Sequence, residues 1–255
     1  MSRRIPETVE PVADYLRTAH GRHLQNAVFE TRKTCSVCAK PLNHSVDVRC
    51  HECEQHARSG VPLADRVGVL VYAEEYDSQS YKVVHQYKSS NPGREVKRVM
   101  EMLVALGLRG HIECVMNLSG RSIGWAVLPS SKGRTRLGEI VRSIARRPDG
   151  EVRLAVSPDF QRRRLRPENF VVKSADVPQH VLLVDDSWVS GSNAQSAAAA
   201  LKRAGAVEVS VFTVARILDP GYGATSRFLK THGRPAFDPV KCPWTGGACP
   251  DPLRP

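Results

Sequence analysis

Nowhere in these 255 residues does an apolar run approach the ~20 residues that a membrane-spanning helix needs, so no membrane protein is expected. At the N-terminus, Met1-Ser2-Arg3-Arg4-Ile5-Pro6-Glu7 has basic residues but no apolar stretch behind them. No secretory signal is read there, and a cytoplasmic protein is expected. Neither G-x-x-x-x-G-K-[ST] nor G-x-G-x-x-G occurs, which excludes P-loop and dinucleotide-binding readings. There is no internal repeat and no low-complexity tract. Acids are in deficit, with 26 Asp and Glu against 37 Lys and Arg for a formal charge of +11. Such a surplus favours polyanionic partners, either phosphorylated small molecules or nucleic acid.

What is present suffices for one sizeable α/β core plus a small accessory module, since 41% of the residues are hydrophobic. Residues 1–30 read as a helical lead-in, with Val12, Leu16, Leu24 and Val28 in a loose helical pattern. Residues 31–65 hold four clustered cysteines. Residues 66–218 alternate strand and helix patterns. Strands are expected at Val67–Tyr72, Gly124–Leu128, Val181–Val184 and Val207–Val214, with helices at Arg94–Leu108, Arg136–Ala145 and Asn193–Ala204. That alternation implies an α/β fold, a mostly parallel sheet flanked by helices. Residues 219–255 carry seven of the 17 prolines and little periodicity, and read as an irregular Pro-rich tail.

The most informative run is Val181-Leu182-Leu183-Val184-Asp185-Asp186-Ser187-Trp188-Val189-Ser190-Gly191-Ser192-Asn193. Four aliphatics make a strand buried on both faces, and two acids then fall where open α/β sheets bind ligands, beyond the strand's C-terminal end. Side chains alternate along a strand, so both acids reach one ligand only if the chain turns there, which the small-residue loop is expected to provide. That loop enters an alanine-rich helix, whose N-terminal N–H groups and dipole suit a phosphate. Acids for diol hydroxyls beside a phosphate cradle describe a ribose 5-phosphate site.

The run resembles the phosphoribosyl pyrophosphate signature of type I phosphoribosyltransferases. By that resemblance Asp185 and Asp186 hold the ribose hydroxyls and are the candidate catalytic pair, while Val189, Ser190, Gly191, Ser192 and Asn193 wrap the 5-phosphate. Val189 and Asn193 stand where the family usually has threonines, and Trp188 is bulkier than usual. The loop Leu128-Pro129-Ser130-Ser131-Lys132-Gly133-Arg134 is similar to the family's pyrophosphate loop, which adds Ser130, Ser131, Lys132 and Arg134 to the candidate binding residues. The arginine-rich stretch Gln161–Phe170 stands where the family carries a mobile hood. Tyr87-Lys88 resembles a Tyr/Lys segment of one branch.

Cys35-Ser-Val-Cys38 and Cys50-His-Glu-Cys53 form C-x2-C-x11-C-x2-C, the spacing of two knuckles on one structural Zn²⁺. His44, His51 and His56 are alternative ligands. A four-cysteine module ahead of such a transferase domain resembles the ComF family, whose name is linked to bacterial competence. The resemblance implies a type I phosphoribosyltransferase fold over 66–218 and transfer of phosphoribosyl from 5-phosphoribosyl-1-pyrophosphate (PRPP), with Mg²⁺, to an unspecified nucleophile. Two other readings stand beside it: a PRPP-binding sensor or adaptor without turnover, and a zinc-module nucleic-acid binder of competence type. Cys242 and Cys249 could form a second metal half-site or fold back near the core, but the expectation is tail cysteines of no chemical role. His111 and Cys114 are expected to pack rather than ligate.

Overall fold

A computed structural model describes residues 5–76, 78–119, 123–145 and 150–250. Its centre is a five-stranded sheet in the order β1-β2-β7-β6-β3. The strands are β1 (Gln25–Asn26), β2 (Arg66–Glu74), β3 (Ile123–Val127), β6 (His180–Trp188) and β7 (Glu208–Leu218). The last four run parallel, and only the two-residue β1 is antiparallel, against Val71 and Tyr72. The fold is therefore α/β with a mixed, mostly parallel sheet. A separate hairpin pairs β4 (Leu154–Val156) with β5 (Phe170–Val172). Among the described residues no helix is long and apolar enough to cross a membrane.

Helices cover both faces of the sheet. One face buries Leu70, Leu182, Val184, Phe212 and Val214 beneath α1 (Glu10–His20), α3 (Gln79–Gln86), α4 (Arg94–Ala105) and α6 (Arg136–Ile144). In α4, Val99, Met100, Leu103 and Val104 recur at helical spacing and are fully buried. Each such side chain contributes about 1.5–3 kcal/mol of burial free energy. The other face buries Val181, Leu183, Val209 and Val211 beneath α7 (Ser192–Arg203). The four consecutive alanines of α7, Ala197–Ala200, are all buried. Beyond favouring helix, their small side chains let α7 lie close to the sheet on one side and to β5 and a 3-10 turn at Pro167–Asn169 on the other. The four cysteines of the N-terminal module belong to this same apolar layer, with Trp188, Leu218 and Phe228.

Several elements depart from the sequence expectation. The strand expected at Val181–Val184 continues through both acids to Trp188, paired on one side with β7 as far as Arg216. β7 runs four residues further than expected, to Leu218. The helix expected at Arg94–Leu108 passes at Leu106 into a π-helical turn ending at Gly110, and α5 (Ile112–Ser119) follows. Short helices α3 and α2 (His51–Ala57) were not expected. The tail is not irregular throughout. It forms α8 (Gly223–His232) and then returns to the core, where Phe237 is buried and Trp244 tilts against Phe212. Its last five residues lie outside the described residues.

The π-helical turn sets Gly107 directly against Phe212 of β7. A Cβ at Gly107 would lie 2.0 Å from Cζ of Phe212. Gly107→Ala is expected to lower stability by about 1–3 kcal/mol, the usual cost of overpacking, in thermal or urea denaturation. Adding Phe212→Leu should then cost less than it does in the wild type, because the two changes relieve one clash.

Candidate functional site

The C-terminal ends of β3 and β6 lie side by side, with Val127 opposite Val184 and Leu128 N–H donating to the Val184 carbonyl at 2.9 Å. The loops leaving both strands therefore open into one cleft of about 400 Å³. It is lined by Asp185, Asp186, Val189, Ser190, Gly191 and Asn193 from one loop and by Ser130, Ser131, Lys132 and Arg134 from the other. Ser192, the first residue of α7, is buried behind the loop rather than on the lining. A second cleft, of about 520 Å³, runs along the cysteine module past Arg49 and Tyr222 and contains neither the acids nor the phosphate-type loop.

Both acids reach the cleft without the chain turning at that point. Leu183 and Trp188 pack in the same apolar layer although they are five residues apart, which strict alternation forbids. The alternation slips by one across the acid pair, inside the strand. Trp188 then lies beneath the loop, 1% exposed. Gly191 caps α7 with φ +82°, and a Cβ there would stand 2.1 Å from Cζ2 of Trp188. Only glycine satisfies both the left-handed backbone and the space. The bulky Trp188 is thus the floor of the loop.

Charge in the cleft is arranged by residues far apart in sequence. Lys88 Nζ lies 2.6 Å from Asp186 Oδ1 and 3.3 Å from Ser187 Oγ, and Tyr87 Oη donates to Asp186 Oδ2. Asp185 is 9% exposed and accepts from the Asp186 N–H at 2.8 Å. Burial first, then the neighbouring Asp186 charge, push the Asp185 carboxyl up to about 7, with Lys88 opposing. Burial and both carboxylates also push the Tyr87 phenol far above its ordinary value. Tyr87 stays a donor at any physiological pH.

Two supports come from behind the loop. Arg216, on β7 and 2% exposed, donates from Nη1 to the carbonyls of Trp188 at 2.6 Å and Val189 at 2.5 Å. His56 Nε2, on α2 of the cysteine module, lies 3.2 Å from Ser192 Oγ. His56 therefore faces the loop and not the cysteines. Neither residue carries a sequence signal for this role. The arginine-rich stretch 161–169 joins β4 to β5 and places Arg162 and Arg163 on the cleft. Its shape is set by Asn169, fully buried, whose side chain accepts from Gln161 N–H at 2.9 Å and donates to the Gln161 carbonyl at 2.9 Å. Arg166 N–H donates to Ser196 Oγ at 2.8 Å, which pins the stretch to α7.

Cys35, Cys38, Cys50 and Cys53 are all buried, with their sulfurs within 4.8 Å of one another. The Cys38 and Cys50 sulfurs are 3.7 Å apart, close to the ~3.8 Å edge of a tetrahedron with metal–sulfur bonds of about 2.3 Å. Neighbouring thiols pull Cys35 far below the ordinary thiol range. Burial works against ionisation of Cys38, yet Cys50, Cys53 and the Arg216 guanidinium bring it down as well. The four form a group that can hold a metal ion.

A raised Asp185 has a consequence for stability. Between its ordinary value of 3.8 and about 7 the native state keeps a proton that the unfolded chain has lost. Native protein then binds more protons, so this group's contribution falls as pH rises through that window. Asp185→Asn keeps the acceptor for the Asp186 N–H and removes the buried charge. Its melting temperature is expected to exceed that of the wild type by a few degrees at pH 8, with the gap closing toward pH 4, as calorimetry at both pH values would measure. When the chain is compared with known proteins, no protein-family model matches it and no curated protein does.

Proposed function

We propose that the protein binds PRPP in the cleft between the β3 and β6 loops and transfers its phosphoribosyl group to a nucleophile, as a divergent type I, ComF-like phosphoribosyltransferase. The observation that carries this reading is the meeting of two anion-suited loops and a carboxylate pair in one cleft at adjacent parallel strand ends. In this reading the ribose hydroxyls meet Asp185 and Asp186, and the 5-phosphate meets the loop Val189–Asn193 and the N-terminus of α7. The diphosphate meets Ser130, Ser131, Lys132 and Arg134.

The reaction breaks the bond from the anomeric carbon to pyrophosphate and forms one to the incoming nucleophile on the opposite side, with inversion. Negative charge grows on the departing pyrophosphate, and Lys132, Arg134, Arg162 and Arg163 supply fixed positive charge there. A Mg²⁺ ion carried on the diphosphate would neutralise part of that charge. Asp185 and Asp186 hold the ribose while its anomeric carbon becomes electron-poor. Tyr87 and Lys88 position Asp186 by bonding its two oxygens. Trp188 fills the space beneath the loop, and Arg162 and Arg163 bring the 161–169 stretch to the side of the cleft.

The four-cysteine group is read as a structural zinc site, because four protein ligands leave no open coordination position. Through His56, on the same helix as Cys53, that module reaches the loop that would cradle the phosphate. A second reading, a sensor without turnover, is favoured by one feature: Asp186 already has an internal cation, Lys88, at 2.6 Å.

Titration calorimetry of the zinc-loaded chain with PRPP and Mg²⁺ is expected to give micromolar binding that the Asp185→Asn/Asp186→Asn variant lacks. Binding with pyrophosphate release in the presence of candidate bases or amines supports the transferase. Binding without release across that panel supports the sensor. A folded wild type that fails to bind overturns both. Salt-sensitive DNA binding that is indifferent to the acid pair would instead support a nucleic-acid role.

A further inference from the structure

His111, Cys114, Cys242 and Cys249, expected to pack or to be idle, come together from both ends of a stretch of 128 to 138 residues. One ligand atom from each lies within 4.8 Å of all the others. The Cys114 sulfur is 3.9 Å and the Cys249 sulfur 3.5 Å from His111 Nδ1. Neighbouring ligands on a tetrahedral zinc, with bonds of about 2.3 Å to sulfur and about 2.0–2.1 Å to nitrogen, stand roughly 3.5–3.8 Å apart. His111, Cys114 and Cys242 are buried, and Cys249 closes the outer side.

The surroundings suit a metal better than a set of packed thiols. His111 Nε2 faces the Pro239 carbonyl at 3.3 Å, which takes the ring's N–H and leaves the Nδ1 lone pair turned toward the sulfurs. Metal-bound histidines are oriented in this way. Gly246, at φ +73°, makes the turn between Cys242 and Cys249. Its N–H donates to the Cys242 carbonyl, and Cys242 N–H donates to the Gly247 carbonyl, both at 2.8 Å. The turn thus has its own backbone bonds and presents both cysteines on one side.

We propose that His111, Cys114, Cys242 and Cys249 form a second zinc site, a closed Cys3His clasp that fastens the C-terminal segment to the start of α5. Three thiolates and one imidazole in tetrahedral reach select zinc among the common ions. The clasp holds Pro243 where its carbonyl accepts the Val69 N–H at 3.0 Å, on the side of β2 that the two-residue β1 leaves uncovered. Trp244 is held with it, Nε1 donating to the His111 carbonyl at 3.1 Å and the ring lying over Gly68. The proposal does not depend on PRPP binding.

The test is metal analysis of the full chain purified under reducing conditions from zinc-supplemented cells. Wild type is expected to carry one more equivalent of zinc than Cys242→Ser/Cys249→Ser, while Cys35→Ser/Cys38→Ser reports the other cluster separately. X-ray absorption at the zinc edge of wild type needs no variant. It should show sulfur at about 2.3 Å together with a nitrogen at about 2.0–2.1 Å, and the nitrogen should vanish in His111→Ala. Equal zinc in wild type and Cys242→Ser/Cys249→Ser overturns the proposal. So does an all-sulfur shell in wild type, and so does a disulfide among Cys114, Cys242 and Cys249 found by mass spectrometry of the alkylated chain.

Discussion

A single buried guanidinium organises the end of the sheet at which the cleft opens. Arg216 leaves β7 beneath the turn that follows β6 and donates to two successive carbonyls, those of Trp188 and Val189. Both carbonyls are thereby satisfied from beneath the loop. A buried cation is costly unless nearby negative charge offsets it. Cys38 lies near enough to feel Arg216, which helps hold its thiol below the ordinary range. Without Arg216 the carbonyls of Trp188 and Val189 would lose their buried donor.

The acids pose the opposite problem. Asp185 is held in a dry, already negative place, and that is what raises its carboxyl. A fold selected only for stability would put a neutral residue at that position. Tyr87 and Lys88 reduce the cost by bonding Asp186. They also fix the orientation of Asp186.

Much of this was legible along the chain wherever neighbours in sequence are neighbours in space. The run from Val181 to Asn193 shows strand, acids, loop and helix in order, and the C-x2-C pairs announce their cluster by spacing. What was not legible depends on distant segments meeting. Lys88 and Asp186 are 98 residues apart, and no local pattern marks the contact. The parity slip across the acids is invisible because the same letters suit a strand ending at Val184 or at Trp188. Short α3 and α5 have too few turns to show a period, and their faces are defined only by what they pack on. His111 and Cys114 on one side and Cys242 and Cys249 on the other are each half a ligand set. Half a set resembles packing.

Sheet topology explains why the C-terminal segment returns at all. β2 lies second from one edge, and its outer neighbour β1 covers only Val71 and Tyr72. The rest of β2 would present unpaired backbone groups, an opening for pairing with other chains. Ala27 N–H reaches the Leu70 carbonyl and Pro243 accepts the Val69 N–H, so lead-in and tail share the covering. A cover with so few backbone bonds is weak by itself, and its segment is rich in proline and glycine, which give little secondary structure of their own. Cross-linking such a segment to a firm helix is the economical solution, because the link raises the effective concentration of the cover at the edge without any further packing. Glycine at position 68 fits the same logic. Its missing side chain is the space that Trp244 occupies, and a Cβ there would stand 2.7 Å from the indole. The strand and its cover are therefore shaped for each other, on the sheet face opposite the one that buries the four-cysteine module.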